Sequence, residues 1–339
     1  MQGIDSLGVE NSLILFPDQI KEAWKQTYAS DILPLSPKSL IVSGMGGSSN
    51  AAKILQSLYE SELQIPFMVF NDYGLPGWVN TDTLVVANSY SGNTEETLSS
   101  IEAANKVGAK ILGVTTGGKI AEMIRSGVIP GAIFTPGETN PTGFPKTGLG
   151  ASFGALAGVL SKRGILPLTE EELIKCLDEL IEIRKSWNAK EMAEWIHGSL
   201  LVLFGGRPFI GSLNAGRNAM CEISRNFTQF YDFPEVNHVL IEAMQKPEAA
   251  KQVKYLFFES GFNEERVKLR YKVTKGILDE QSLTHKTYEL KGTTKLAQGL
   301  ELPYFCDWLA FNLSILDATD PGPEPWILKL KESLSQPVH

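Results

Sequence analysis

The chain has 339 residues, enough for about two domains, and its 31 basic and 39 acidic residues give a net charge of −8. This charge is unfavourable for a nucleic-acid-binding protein or for adsorption to an anionic membrane, because both need a basic face. Apolar runs fall short of the roughly 20 residues that span a bilayer. The composition therefore predicts a folded globular protein with neither a nucleic-acid nor a membrane partner.

Cysteine and histidine usage predicts a reducing compartment and no bound metal. The three cysteines are far apart and form no Cys-x-x-Cys motif, which is typical of a cytoplasmic protein rather than of a disulfide framework. The first residues lack the basic segment of a secretory signal. The four histidines have no metal-ligand spacing, and we expect His197 and His285 to be structural.

Short apolar strands alternate with helices through the first half of the chain. The pattern predicts a helix over 11–27, a strand that runs into glycines over 38–47, a helix over 48–58, strands over 67–70 and 84–88, a helix over 94–107, a strand over 110–115, a helix near 120–126 and a strand over 131–134. Continuous apolar strands of this kind indicate a parallel sheet that is covered by helices on both faces.

The second half begins in the same way. Residues 135–145 are too rich in turn formers for regular structure, and a helix is predicted over 149–163. After a linker over 164–169, the pattern predicts an amphipathic helix over 171–187 and an apolar strand over 199–206. Gly46-Gly47 and Gly205-Gly206 each close the first strand of a half. This faint repeat predicts two α/β domains of similar build, residues 1–165 and 166–339.

Two loops rich in glycine and hydroxyl groups follow predicted strands. The first, residues 44–49, lacks the third glycine of G-x-G-x-x-G, and the chain has no G-x-x-x-x-G-K-[ST] motif, so neither a nicotinamide cofactor nor ATP is predicted. The second, residues 88–96, places three hydroxyls at a helix start. Ordinary N-capping explains either loop alone, whereas two such loops at one sheet edge favour a crevice for a phosphate monoester. The candidate phosphate-binding residues are Gly47, Ser48, Ser89, Ser91 and Thr94.

The two loops also carry a family resemblance. Ser43-Gly-Met-Gly-Gly-Ser48 followed by Ser89-Tyr-Ser-Gly-Asn-Thr-Glu-Glu-Thr97 resembles a sugar isomerase (SIS) domain. Three further motifs are similar to those of one subfamily, the bifunctional phosphoglucose/phosphomannose isomerases: Asn71-Asp-Tyr-Gly-Leu-Pro-Gly-Trp78, Phe233-Pro-Glu-Val-Asn-His238 and Asp320-Pro-Gly-Pro323. The resemblance implies two SIS-type αβα sandwich domains. It also implies an isomerase that interconverts glucose or mannose 6-phosphate with fructose 6-phosphate through a cis-enediol, with no metal or organic cofactor.

The resemblance assigns the acid–base residues of this reaction. Glu222 stands at the family's interval before the histidine of Pro-Glu-x-Asn-His, which implies that Glu222 is the enediol base and that His238 assists ring opening. Lys331 matches a C-terminal lysine with a ring-opening role. Lys146 follows Pro145 where the family usually has an arginine that stabilises the enediolate. The lysine keeps the positive charge but lacks the planar guanidinium that donates two parallel hydrogen bonds. In the family the histidine comes from a second subunit, which implies a homodimer with His238 supplied across the interface.

Each of these side chains also has an ordinary structural interpretation. The alternatives are a Glu222 that pairs with Arg225, a loop histidine His238 bonded to backbone, and a solvated Lys331 on a terminal helix. The chain departs from the family pattern at Ser49, Asn50, Lys146, Cys221, Ile223 and Gly322. At the level of function, a non-catalytic sugar-phosphate-binding protein and an isomerase of another phosphosugar are therefore the competing hypotheses.

Overall fold

The first half of the chain alternates helices and strands. The computed structural model describes residues 3–30 and 36–334. The elements of the first half are α1 (Val9–Ile14), α2 (Phe16–Tyr28), β1 (Ser39–Ser43), α3 (Gly46–Tyr59), β2 (Phe67–Phe70), β3 (Thr83–Ser89), α4 (Glu95–Val107), β4 (Lys110–Thr115), α5 (Gly118–Arg125), β5 (Gly131–Ile133) and α6 (Leu149–Lys162). Two short 3₁₀ turns, Gly137–Thr139 and Pro145–Thr147, interrupt the turn-rich segment before α6.

These strands form one parallel sheet in the order β2-β1-β3-β4-β5. Every residue of the central strand β3 is buried, because helices cover both faces. Alternate side chains of β3 point to opposite faces. Leu84 and Val86 join the core that includes α3 and α6, whereas Val85 and Ala87 pack with α4 and α5. The predicted sandwich is confirmed for this half.

The second half repeats this architecture with fewer strands. Its elements are α7 (Glu170–Arg184), α8 (Ala189–Ile196), β6 (Leu200–Gly206), α9 (Ile210–Glu222), β7 (Thr228–Phe233), α10 (Val236–Val239), β8 (Val253–Glu259), α11 (Glu265–Glu280), β9 (His285–Glu289), α12 (Lys295–Leu316) and α13 (Pro325–Leu334). The strands form a second parallel sheet in the order β7-β6-β8-β9. One face packs with α9 and α12, and the other packs with α11.

A single cluster of buried apolar side chains connects the two sheets, so the halves share a core. The helices α3 and α9 meet within it in antiparallel fashion. A Cβ on Gly211, near the start of α9, would collide with the backbone of Lys53 in the middle of α3. Further along, the Asn214 and Asn218 amides donate to the Asn50 Oδ1 atom at 2.7 and 2.9 Å. The start of α3 therefore lies beside the end of α9.

The structure corrects two predicted helices. The helix predicted over 11–27 is two helices, α1 and α2, which are separated at Leu15. Pro17 explains the new start, because proline lacks an N–H and fits the first turn of a helix. The helix predicted to reach residue 187 ends at Arg184. Within the described ranges, no helix combines the length and the apolar character needed to cross a membrane.

Candidate active site

The two glycine- and hydroxyl-rich loops lie side by side at the carboxyl edge of the first sheet. The backbone N–H of Tyr90 donates to the Ser48 Oγ atom at 3.0 Å, and the Asn88 amide donates to the Ser48 carbonyl at 2.9 Å. Only glycine fits at position 44, because a Cβ there would lie 2.6 Å from the Asn88 carbonyl oxygen. The β1–α3 and β3–α4 loops are therefore held in direct contact.

The hydroxyls of the second loop bond to one another instead of capping the helix that follows. The Ser89 and Thr94 hydroxyl oxygens lie 2.7 Å apart, and Ser89 Oγ also accepts from the Gly92 N–H at 3.0 Å. Ser91 is exposed and accepts from the Asn93 N–H at 3.3 Å. Neither α3 nor α4 receives a side-chain cap at its N-cap residue. The first amides of α3 and α4 therefore lack a side-chain cap, and uncapped amides at a helix start can bind an anion.

A third loop at the same edge was missed by the sequence analysis. Residues 115–118, Thr-Thr-Gly-Gly, connect β4 to α5. The Thr116 hydroxyl donates to the Tyr90 carbonyl at 2.6 Å, and the Ile120 N–H donates to the Gly92 carbonyl at 3.1 Å. The signal was present in the sequence, since this segment is again a run of hydroxyl and glycine residues directly after an apolar strand.

Glu222 and Lys146 meet beside the first of these loops. Glu222 ends α9, Lys146 lies in the Pro145–Thr147 turn, and Gly47 is in the first turn of α3. All three line one cavity of about 10 Å³, roughly the space of one water molecule. Its other lining residues are Asn50, Leu149, Ala215, Asn218, Ala219, Ile223 and Asp307. The fold thus brings Glu222 and Lys146, both candidate catalytic residues, next to Gly47, a candidate phosphate-binding residue.

The surroundings of Glu222 keep its carboxyl partly protonated near neutral pH. Burial raises the pKa of Glu222 to about 7, and the nearby Glu324 carboxylate adds to the increase. The positive charges of Lys146, Arg217 and Lys331 act in the opposite direction. A carboxyl group with this pKa suits general-base catalysis, because it accepts a proton readily and is still ionised at working pH.

The alternative partner for Glu222 is engaged elsewhere. The Arg225 guanidinium donates to the backbone carbonyls of Asp320 and Pro323, at 3.1 and 2.9 Å. The segment 320–324, which precedes α13, is thereby held next to the end of α9. An ion pair with Arg225 is consequently not what holds the Glu222 carboxylate.

Lys146 is the buried cation of the site. Its side chain is 2% exposed, and its Nζ atom donates to the Pro321 carbonyl at 2.7 Å. The same atom lies 3.8 Å from the Glu324 Oε1 atom and 3.5 Å from the backbone oxygen of Glu222. Burial lowers the pKa of Lys146, and the Glu324 and Glu222 carboxylates oppose that change. The ammonium therefore lies next to the proposed base.

His238 and Lys331 lie outside the cavity in the described part of the chain. His238 is exposed on the short helix α10. Lys331 is exposed on α13, a helix in which no described residue is buried. The two histidines that were expected to be structural each lie beside an aspartate. His197 Nε2 is 2.8 Å from Asp317 Oδ1, and His285 Nε2 is 3.0 Å from Asp279 Oδ1. One chain therefore brings together Glu222 and Lys146, but not His238.

Comparisons with known proteins place both halves in one superfamily. Residues 35–123 match the SIS domain family, and residues 185–334 match the bacterial phospho-glucose isomerase C-terminal SIS domain. A relative from Aquifex aeolicus, named bifunctional phosphoglucose/phosphomannose isomerase, is 31% identical over 91% of this chain and 93% of its own length. A relative of the same name from Caldicellulosiruptor bescii is 28% identical over 96% of this chain and 98% of its own length.

A solved structure supports the fold alone. Tagatose-6-phosphate ketose/aldose isomerase from Escherichia coli aligns with a TM-score of 0.68 at 12% sequence identity, over 93% of this chain and 95% of that one. Likeness at so low an identity carries no information about substrate. It confirms the predicted architecture of SIS-type parallel sheets flanked by helices.

Proposed function

The chain belongs to the bifunctional phosphoglucose/phosphomannose isomerase family, and we propose that it interconverts glucose 6-phosphate and mannose 6-phosphate with fructose 6-phosphate through a cis-enediol. The observation that carries this proposal is the meeting of Glu222, Lys146 and Gly47 at one cavity. A carboxylate with a pKa of about 7, a buried ammonium and a phosphate-type loop are the groups that this reaction needs. We expect it to require neither a metal nor an organic cofactor.

Each group has one role in the proposed reaction. The β1–α3 and β3–α4 loops bind the phosphate through their amides and hydroxyls. The Glu222 carboxylate takes the proton from C2, and the C1–C2 double bond forms. The electron pair of the C1 carbonyl double bond moves to O1. Lys146 stabilises the negative charge that develops on that oxygen. The O2 hydroxyl proton then passes to O1, the C2–O2 double bond forms, and Glu222 returns its proton to C1 to give the ketose.

The same proposal includes a homodimer in which His238 comes from a second copy of the chain. Its exposure and its absence from the cavity lining support this arrangement. Helix α13 offers a further reason, since its apolar side chains Trp326, Leu330 and Leu334 are 74%, 58% and 62% exposed. An apolar helix face of this kind is typical of an interface. With Lys331 on the same helix, the assembled site would hold both ring-opening residues.

A coupled assay tests the activity. Glucose 6-phosphate, mannose 6-phosphate and arabinose 5-phosphate are offered separately, each with and without a chelator. We expect conversion of the two hexose phosphates, unchanged by the chelator. Turnover of the pentose phosphate alone would favour the isomerase of another phosphosugar, and no turnover of any of them would favour the non-catalytic binding protein.

Lys146→Ala is expected to lower kcat by on the order of 10²-fold and to raise KM much less, because the ammonium interaction strengthens as charge develops on oxygen. Steady-state kinetics on glucose 6-phosphate measure both constants. Lys146→Arg retains the charge and should stay near the wild-type rate. Lys175→Ala, which removes an exposed lysine paired with Glu171, is the control. An unchanged kcat in Lys146→Ala would show that this ammonium plays no part.

The pH profile of kcat/KM is expected to fall below about pH 7, because Glu222 with a pKa of about 7 becomes protonated there and stops acting as a base. Glu324→Gln removes a negative charge that raises this pKa, so the acid limb should move to lower pH. Glu171→Gln on the exposed face of α7 should leave the limb in place. A limb that stays in place or moves upward in Glu324→Gln would contradict the assignment.

A further inference from the structure

A second carboxyl group, that of Asp307, lines the cavity beside Glu222. Asp307 lies in the interior of α12, a 22-residue helix whose described side chains are mostly buried and apolar. It is 5% exposed. Among the described residues its side chain has no hydrogen-bond or ion-pair partner. A nearly buried carboxyl group without a partner is unusual, which draws attention to the cavity that Asp307 lines.

The Asp307 side chain faces the proposed base. It lines the same cavity as Glu222, Lys146, Asn50 and Asn218. Burial and the neighbouring Glu222 carboxylate raise the pKa of Asp307 well above its usual range. Ionisation of Asp307 is therefore opposed both by its burial and by the charge of Glu222.

We propose that Asp307 is a second catalytic carboxyl group, a neutral acid that moves the hydroxyl proton between the two oxygens of the enediol. This inference rests on the proposed isomerase function. The other cavity groups are less suited to the task. Lys146 already donates to the Pro321 carbonyl, and an amide such as that of Asn50 or Asn218 does not release a proton at neutral pH.

The proton balance closes without any further reactant. As Glu222 removes the C2 proton, Asp307 gives its proton to O1, and the product is the neutral enediol with an Asp307 carboxylate. In the second step of the reaction, the Asp307 carboxylate accepts the proton from the O2 hydroxyl, and the O2–C2 double bond forms. The electron pair of the C1–C2 double bond then takes the proton from Glu222, which forms the new C–H bond at C1. Both carboxyl groups end in their starting states.

Asp307→Asn keeps the size of the side chain and removes the transferable proton. We expect kcat to fall by roughly 10²-fold or more with KM nearly unchanged, since general acid–base steps contribute at least that factor. Asp307→Ala should regain part of its rate when formate is added, because a small carboxylic acid then replaces the missing group. Glu301→Gln is the matched control, since Glu301 is a buried carboxyl of the same helix that is satisfied by Tyr288 and two backbone amides.

A spectroscopic readout separates this role from a structural one. Infrared difference spectra of wild type against Asp307→Asn, recorded at pH 8 without substrate, should show one protonated carboxyl band that only the wild type has. A missing band, or Asp307→Asn turning over at the wild-type rate, would overturn the proton shuttle alone. A wild-type enzyme inactive on all three sugars would overturn the isomerase function and the shuttle together.

Discussion

Glu222→Gln is expected to abolish the exchange of the C2 proton of glucose 6-phosphate with deuterated water and to lower kcat by roughly 10²–10⁴-fold, the usual loss for a general base. Glutamine keeps the size of the side chain and its carbonyl acceptor but cannot take up the proton. Proton magnetic resonance of the substrate follows the exchange directly. If the variant exchanged the proton at the wild-type rate, another residue would be the base. The assignment of active-site residues in the second half of the chain would then be wrong.

Two controls distinguish lost chemistry from lost structure. Substrate binding through the Ser48 and Ser89 loops should change little in Glu222→Gln, because these loops are untouched. The folded-state pKa of Glu222 is raised to about 7 from 4.5, so ionisation of this group destabilises the folded state as pH rises through that interval. The glutamine variant should therefore be more stable at pH 8, by on the order of 3 kcal/mol. Thermal unfolding measures this difference.

An equal mixture of Glu222→Gln and His238→Ala, each inactive alone, is expected to recover about a quarter of the wild-type activity after the subunits exchange. Half of the dimers would then be mixed, and each mixed dimer would hold one site with an intact glutamate and an intact histidine. The other site of that dimer would lack both. The measurement is the isomerase rate before and after exchange, with dimer formation followed by light scattering.

The matched control for this experiment replaces His197, the exposed histidine that pairs with Asp317. His197→Ala should be active alone and should therefore bring only its own activity to a mixture with Glu222→Gln. A mixture of Glu222→Gln and His238→Ala that stays inactive despite demonstrated exchange would mean that both residues act within one chain. A full-rate monomer at nanomolar concentration would rule out the shared site altogether.

The parts of the fold that local patterns determine were the parts predictable from sequence. The strands of the first sheet are short apolar runs that end in turn residues, and the ranges 67–70 and 110–115 agree with the observed strands. The phosphate-type loops follow from the same pattern. Glu222 and Lys146 were predicted from the family resemblance and not from the pattern of apolar runs and turn residues. Their meeting depends on the packing of α9 against α3, which no local pattern encodes.

The second half was harder to predict for physical reasons. Helix α12 contains Pro303, and a proline inside an apolar run argues against a helix until tertiary packing compensates for the lost hydrogen bond. It also buries nearly all of its surface, so it lacks the polar stripe that marks an amphipathic helix. Asp307 and Glu301 were visible as the two acidic residues in that apolar run. Without a predicted helix, there was no reason to place Asp307 in a cavity.

The contact between α3 and α9 would determine which length of sugar phosphate fits the proposed site. The amides that would bind the phosphate begin α3, and the carboxylate that would remove a proton ends α9. The two helices pack closely at Gly211, where a Cβ would collide with the backbone of Lys53. The packing of these two helices would then fix the distance from the phosphate to the reacting carbon. Such a fixed distance would select the sugar by the length of its carbon chain rather than by the configuration of its hydroxyl groups. An enzyme built in this way would reject a shorter phosphosugar while accepting two epimers of the same length.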